Sequence, residues 1–223
     1  MRVVALRAGL ALSMAWPCLA QAQDALYGKQ PPPGSTYIRI VSGLAGPVAV
    51  TTNFHADRRI GTSPADRAGS YVVVERAAGR ALAIHADAAG VRGDLEFRVA
   101  PDAYVTVALR LAGDGRMAIG PVVDRLDFNQ NRTRIAFYNL MPGCDAASLI
   151  LDPGGPAVFR DVGEGATSSR TVTPVEASVH AVCGTTAGPA LTLTGLEVGS
   201  SYSIWSTTGG LTLTTDVLAA YRP

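Results

Sequence analysis

The chain has 223 residues, of which 48% are hydrophobic and 17% charged, with 19 basic against 18 acidic side chains. A balance this close to neutrality gives no general attraction to nucleic acids or anionic lipids, and no Lys/Arg run supplies a local one. No later segment approaches the roughly 20 consecutive apolar residues of a membrane-spanning helix. We therefore expect neither nucleic-acid binding nor membrane insertion.

The first 22 residues have the pattern of a secretory signal peptide. Arg2 and Arg7 give a positive start, residues 8–16 are apolar, and Ala20-Gln21-Ala22 is a small-x-small cleavage site. Cleavage after Ala22 would remove both arginines, leaving 17 basic residues against 18 acidic ones. We expect an exported, periplasmic protein with a net charge near zero.

Export also decides which cysteines the mature chain keeps and whether they can form a disulfide. Cleavage would remove Cys18 and leave Cys144 and Cys183. An even pair in an oxidising compartment favours a disulfide over a metal site or a catalytic thiol. We predict that bond.

The mature chain opens with a proline-rich arm over residues 23–35, in which Pro31, Pro32 and Pro33 fix an extended backbone. Short β-branched and aromatic runs bounded by Gly, Pro, Asn or Asp follow, a pattern typical of β-sandwiches. In chain order, the predicted strands are 37–41, 48–52, 70–75, 81–86, 95–99, 104–111 and 116–119, then 134–140, 148–151, 175–182, 191–194, 202–206 and 212–217. Residues 215–221 could add a terminal turn, and no window has a sustained helical period.

The two halves follow one plan. Residues 37–42 correspond to residues 134–139, and each half closes with a turn, an aromatic-led strand, a Gly-containing turn and a last strand. A tyrosine at the start of the aromatic-led strand, Tyr104 or Tyr202, suits a ring that covers the sandwich end while its hydroxyl bonds the backbone.

We therefore predict an all-β fold with two tandem small Ig-like β-sandwiches after the signal peptide. Each has about 90 residues, a normal domain size. The predicted segments are a signal peptide (1–22), an N-terminal Pro-rich arm (23–35), a first sandwich (36–123), a linker (124–133) and a second sandwich (134–223).

Catalytic patterns are hard to find. The sequence has no Gly-x-Ser-x-Gly elbow, and His55, His85 and His180 lie in three separate segments. His55-Ala56-Asp57 lacks an evident third metal ligand, and Glu176 with His180 reads as the polar outer face of a strand. We expect no catalytic residues, no metal and no cofactor. With 6% aromatic residues, the chain is also poor in stacking platforms for a stand-alone lectin.

The opening of the mature chain resembles that of a known family. Leu26-Tyr27-Gly28, a proline-rich spacer, Gly34-Ser35 and the strand Tyr37-Ile38-Arg39 are similar to the start of the AlgF family of alginate O-acetylation accessory proteins. The likeness is motif-specific over about the first 20 mature residues, and extends in plan through the duplicated β layout.

The resemblance implies a non-catalytic periplasmic adaptor in the O-acetylation of an exported polysaccharide, alginate or another. Its implied partners are a periplasmic O-acetyltransferase and a membrane-bound O-acyltransferase, with the polysaccharide itself as a third candidate. Leu26, Tyr27 and Gly28 in the arm, and Arg39 on the first strand, are candidate partner contacts. For Arg39 the alternative is a solvated arginine on a strand face.

A second function stays open on the sequence alone. A generic exported Ig-like binding or envelope module, unrelated to acetylation, would bind partners by its edge strands and show the same composition and strand pattern.

Overall fold

The first half of the chain forms two four-stranded sheets. The structure is a computed structural model that describes residues 30–127 and 129–221. In the first half the elements are β1 (Thr36–Ser42), β2 (Val48–Thr52), β3 (Arg58–Ile60), a helical turn α1 (Pro64–Arg67), β4 (Val72–Val74), β5 (Leu82–Ala88), β6 (Val91–Phe97), β7 (Tyr104–Leu111) and β8 (Met117–Asp124). The sheet orders are β4-β1-β7-β8 and β3-β2-β5-β6.

The second half repeats this arrangement. Its strands are β9 (Thr133–Asn139), β10 (Ala147–Asp152), β11 (Ala157–Val162), β12 (Thr167–Val172), β13 (Ala177–Cys183), β14 (Thr186–Ala187), β15 (Leu191–Leu193), β16 (Ser201–Thr207) and β17 (Gly210–Thr215). One sheet has the order β12-β9-β16-β17; the other has β11-β10-β13-β14, with β15 also pairing β13. The all-β sandwich fold class is confirmed.

The duplicated plan holds down to strand register. In each half the first and the penultimate long strands run parallel, β1 beside β7 and β9 beside β16, while the other pairs are antiparallel. Ile38 lies opposite Val105, and Ile135 lies opposite Tyr202. The correspondence between residues 37–42 and 134–139 therefore describes two equivalent central strands.

Each half has its own core between its two sheets. Alternation sends Ile38 and Ile40 of β1 inward in the first half, and Ile135 and Phe137 of β9 inward in the second. All four side chains are at most 4% exposed. The period-2 pattern read from the sequence thus specifies which face of each central strand meets the core of its own half.

Several elements escaped the sequence prediction. β3, β11, β12 and β14 were not anticipated, nor was α1, which Ser63 caps by accepting a hydrogen bond from the Asp66 amide. β12 reads Thr-Ser-Ser-Arg-Thr-Val, a polar edge strand without apolar alternation. The terminal turn expected over residues 215–221 is also absent: residues 216–221 are extended, with a single β-bridge at Leu218.

The role predicted for the closing tyrosines is confirmed at Tyr202. Its hydroxyl accepts from the Glu197 amide at 3.1 Å and donates to the Gly195 carbonyl at 3.2 Å, bonding the preceding turn to the sandwich end. The Tyr104 ring stacks on Tyr37, with centroids 4.3 Å apart.

A third cluster joins the two halves. Val41 and Ala108 from the outer face of the β1–β7 pair meet Ala136, Tyr138 and Trp205 from the outer face of the β9–β16 pair. Beside it, the Tyr71 amide donates to the Val217 carbonyl at 2.9 Å, so one side of the interface is closed by backbone pairing. Residues Pro31–Tyr221 accordingly form one compact unit.

The predicted disulfide is present. Cys144, in the loop after β9, is bonded to Cys183 at the end of β13, with Cα atoms 5.8 Å apart. The bond joins the loop between β9 and β10, which connects the two sheets of the second half, to the end of β13.

Reducing this bond should destabilise the protein by about 3–4 kcal/mol, the chain entropy released by opening a loop of roughly 40 residues. The measurement is urea unfolding with and without reductant, with a Cys144→Ser/Cys183→Ser double variant as the matched control. If reduction leaves the unfolding midpoint of the parent unchanged, or shifts that of the double variant equally, the bond is not the cause.

Candidate functional site

The most distinctive group of polar side chains lies between the two sandwiches and centres on Arg39. The β1 alternation that sends Ile38 and Ile40 into the first core turns Arg39 to the opposite face, which the second sandwich covers. Its side chain is 1% exposed, and it pairs through Nη1 with Asp216 Oδ1 at 2.5 Å. The arginine belongs to the first sandwich and the carboxylate to the second.

Arg39 also bonds three hydroxyls. Its Nε donates to Thr106 Oγ1 at 2.7 Å, and its Nη2 donates to Tyr138 Oη at 2.9 Å and to Ser203 Oγ at 3.0 Å. The guanidinium carbon lies 4.4 Å from the Tyr71 ring centroid and 4.9 Å from that of Trp205, within cation–π range. Every face of this buried cation is therefore occupied.

Each of those three hydroxyls also donates a hydrogen bond to a carboxylate. Thr106 donates to Asp124 Oδ2 at 2.5 Å and Tyr138 donates to Asp124 Oδ1, while Ser203 donates to Asp216 Oδ1 at 2.7 Å. Tyr71 adds a further donor to Asp124 Oδ2 at 2.8 Å. The Tyr138–Asp124 hydrogen bond, like the Arg39–Asp216 pair, joins one sandwich to the other.

Arg134, on the first strand of the second sandwich, completes the charge balance. Its Nη1 lies 3.2 Å from Asp216 Oδ2, and its Nε donates to the Arg125 carbonyl at 2.7 Å. Two guanidiniums, Arg39 and Arg134, therefore face two carboxylates, Asp124 and Asp216. A buried group of this kind is tolerable because its charges cancel and most of its polar atoms are paired.

The environment fixes the protonation of the buried groups. Burial raises the pKa of Tyr71 and of Tyr138 above the ordinary range, with Arg39 opposing and Asp124 adding to the effect. Burial alone would lower the pKa of Arg39, but attraction to Asp216 and the neighbouring groups outweighs it and the net shift is upward. At neutral pH the two phenols therefore keep their protons and the guanidinium keeps its charge.

The structure corrects the expectation for Arg39. It is neither a solvated strand-face residue nor exposed to an external partner, because the second sandwich covers it. The other three candidate contacts, Leu26, Tyr27 and Gly28, lie outside the described residues.

The histidines do not converge. His85 Nδ1 lies 2.5 Å from Asp94 on an exposed part of the first sandwich, and His180 Nδ1 lies 2.5 Å from Asp152 in the second. His180 therefore pairs with Asp152 across the β10–β13 ladder and not with Glu176. Over residues 30–127 and 129–221, no three His, Cys, Asp or Glu side chains are placed to share a metal ion.

Several clefts in the described residues are large enough to consider for ligands, and two differ sharply in character. An apolar cleft of about 220 Å³ opens into the second core between Leu151, Val175 and Leu196, with Arg170 its one charged residue. A polar groove of about 580 Å³ lies between β8 and β12, with Arg125 and Arg134 in its wall.

No family model matches the chain, and a search of curated proteins gives no match either. Among the described residues, no helix has the length and apolar character to cross a bilayer. The likeness to the AlgF family therefore rests on the N-terminal motif and the duplicated layout.

The sequence carried a partial signal for the buried network. Asp124 and Asp216 occupy equivalent places in the two halves, since Asp124 ends β8 and Asp216 directly follows β17. Asp124 pairs opposite Tyr104, and the Asp216 amide donates to the Ser201 carbonyl. The outer faces of the central strands also carry Val41, Tyr138 and Trp205, which solvated faces seldom combine.

Replacing Arg39 by Met should cost about 3–5 kcal/mol in unfolding free energy, since it leaves the Asp216 carboxylate buried without its main partner. Arg39→Lys should fall between parent and Met, because an ammonium cannot reproduce the planar fork. The exposed Arg59→Met is the control and should change stability by less than about 0.5 kcal/mol. A loss below about 1 kcal/mol for Arg39→Met in chemical denaturation would contradict the network's role.

The raised tyrosine pKa values predict loss of stability at alkaline pH. Below about pH 10 both states hold the phenolic protons, but above it the unfolded chain ionises first, so unfolding becomes more favourable as pH rises. Each of Tyr71 and Tyr138 should contribute up to about 1.4 kcal/mol per pH unit. Urea unfolding from pH 8 to 11 should show a shallower decline for Tyr138→Phe; an identical slope would refute the assignment.

Proposed function

We propose that this protein is an exported, non-catalytic adaptor in the O-acetylation of an exported polysaccharide, alginate or a similar polymer. In this role it links a membrane-bound O-acyltransferase to a periplasmic O-acetyltransferase. The observation that carries the proposal is the buried network, which holds two binding modules in one fixed relation. An adaptor requires that fixed relation if the partners on its two halves are to be kept in register.

The partners of the polar side chains support the same function. In the interior Arg39 pairs with Asp216, and Asp124 accepts hydrogen bonds from buried hydroxyls. The described histidines pair singly with neighbouring carboxylates or backbone. The surfaces left for other molecules include strand edges, loops and clefts, which suit binding.

The arm adds a point of attachment. Ser35 donates through Oγ to the Pro32 carbonyl at 2.6 Å, and its amide donates to the same carbonyl at 3.2 Å, so the chain makes a defined turn as it enters β1. The prolines limit the entropy that the preceding residues lose on docking. We assign partner contact to Leu26, Tyr27 and Gly28 on the likeness of this stretch to the AlgF family.

Co-purification from the envelope is the direct test. The tagged parent should retain the acetyltransferase and the membrane-bound acyltransferase, and replacing residues 24–33 by a Gly/Ser segment of equal length should reduce that retention at least about tenfold. Arg116→Ala, an exposed change in the turn between β7 and β8, should retain both partners as the parent does.

The acetyl content of the secreted polymer provides the functional measurement, and it should fall in a strain carrying the replaced arm. Retention of envelope proteins unrelated to acylation would establish the generic binding module instead. Esterase or transferase activity of the purified chain, abolished by one Ser, His or Asp substitution, would overturn the non-catalytic assignment.

A further inference from the structure

The apolar cleft of the second sandwich opens along the seam between its two sheets. β11 is an edge strand of one sheet and β12 is an edge strand of the other. The cleft has a volume of about 220 Å³, and its inner end is formed by the fully buried side chains of Leu149, Val179 and Ile204. An apolar cavity of roughly 150 Å³ already takes up benzene. The cleft is therefore large enough for a small apolar ligand.

The first sandwich shows that the fold does not require this cleft. The duplicated plan places β3 and β4 where the second half has β11 and β12. The register agrees, since Val72 pairs opposite Ile38 as Arg170 pairs opposite Ile135. At that seam of the first sandwich the space is only about 10 Å³.

The loops beside the two seams account for the difference. The loop between β2 and β3, residues 53–57, carries Phe54, which lines the seam and packs against the first core. The loop between β10 and β11, residues 153–156, reads Pro-Gly-Gly-Pro and has no side chain of comparable size. The open seam is thus a property of the sequence of the second half.

Arg170 gives the mouth of the cleft a positive charge. It is the one charged residue in the lining, and its side chain is exposed on β12. Its Nη1 donates to the Val158 carbonyl on β11 at 3.2 Å, so the guanidinium spans the seam. The ion pairs found among the described residues all involve other side chains. A carboxylate at the mouth would meet a cation without an acidic partner in this part of the chain, and a planar guanidinium suits it geometrically.

The rest of the lining indicates what carries the carboxylate. Apart from Arg170 and Thr173, the side chains that line the cleft are apolar, and Val175, which is 62% exposed, extends the apolar surface to the rim. A peptide entering the cleft would bring backbone N–H and C=O groups that need partners, whereas a hydrocarbon chain brings none. One cation at the rim and apolar walls behind it match an apolar chain that ends in a single acid group.

We propose that the cleft between β11 and β12 binds a free medium-chain fatty acid, with the hydrocarbon chain against Leu149, Val179 and Ile204 and the carboxylate at Arg170. A membrane phospholipid fits less well, because it would present two long chains to an opening of this volume. The site rests on the cleft and on Arg170 and does not depend on the adaptor role, so a failure to retain the acylation enzymes would leave fatty-acid binding unchanged.

The test is calorimetric titration of the purified exported chain at pH 7 with butanoate, hexanoate and octanoate, each below its micelle-forming concentration. We expect saturable one-to-one binding of octanoate, with affinity rising about fourfold for each added CH₂, as burial of a methylene predicts. Octanamide, which has the same chain and no charge, should bind about fivefold more weakly. Methyl NMR shifts should concentrate at Leu149, Val179 and Ile204.

Two variants separate the charge from the cavity. Arg170→Gln should weaken octanoate about fivefold and leave octanamide unchanged, while Arg59→Gln, the same change on an exposed strand of the first sandwich, should bind as the parent does. Ala177→Phe places a ring in the cleft, as Phe54 does at the equivalent seam, and should abolish binding of both ligands. Ala187→Phe makes the same change at an exposed position on β14 and should bind both ligands as the parent does.

Several results would overturn the proposal. They are equal affinity of the parent for octanoate and octanamide, affinity that does not rise with chain length, methyl shifts away from the cleft, tighter binding of the peptide acetyl-Leu-Leu-amide or of phospholipid vesicles, and a folded Ala177→Phe variant that binds octanoate as the parent does. If Ala177→Phe does not fold, the comparison of the parent with Arg170→Gln for the two ligands still decides.

Discussion

The ion pair between Arg39 and Asp216 is the interaction on which the rest of this structure depends. Removing both charges from water costs several kcal/mol for each ion, and an incomplete set of partners would make the pair a liability. Here three hydroxyls each accept from Arg39 and donate onward to Asp124 or Asp216, so the charges are satisfied from both sides. Because Arg39 comes from one sandwich and Asp216 from the other, the network assembles only when the two halves dock.

The interface between the two sandwiches brings together several further features of the protein. It gathers two buried tyrosines and two aspartates around Arg39. The same docking creates the polar groove between β8 and β12, with Arg125 and Arg134 in its wall. The fixed relation of the two sandwiches, on which the proposed adaptor role rests, therefore originates in this interface.

Much of each sandwich could be predicted, because alternating residues such as Ile38 and Ile40 report locally on a buried face. The equivalence of β1 and β9 and the Tyr202 contact follow from local patterns, and the disulfide follows from an even cysteine pair in an exported chain. Arg39 could not be placed, since strand alternation says only that it faces away from its own core. Whether that face meets water or another sheet depends on residues far along the chain in the other half, such as Tyr138 and Trp205. β12 was missed because its side chains, as on many edge strands, are polar on both faces.

The central claim is that the buried ionic network makes two sandwiches into one cooperative unit. Differential scanning calorimetry of the disulfide-bonded chain tests it most directly, because cooperativity appears as agreement between calorimetric and van 't Hoff enthalpies. The account predicts a single transition with equal enthalpies for the parent. Two resolved transitions in the parent, one for each sandwich, would contradict it.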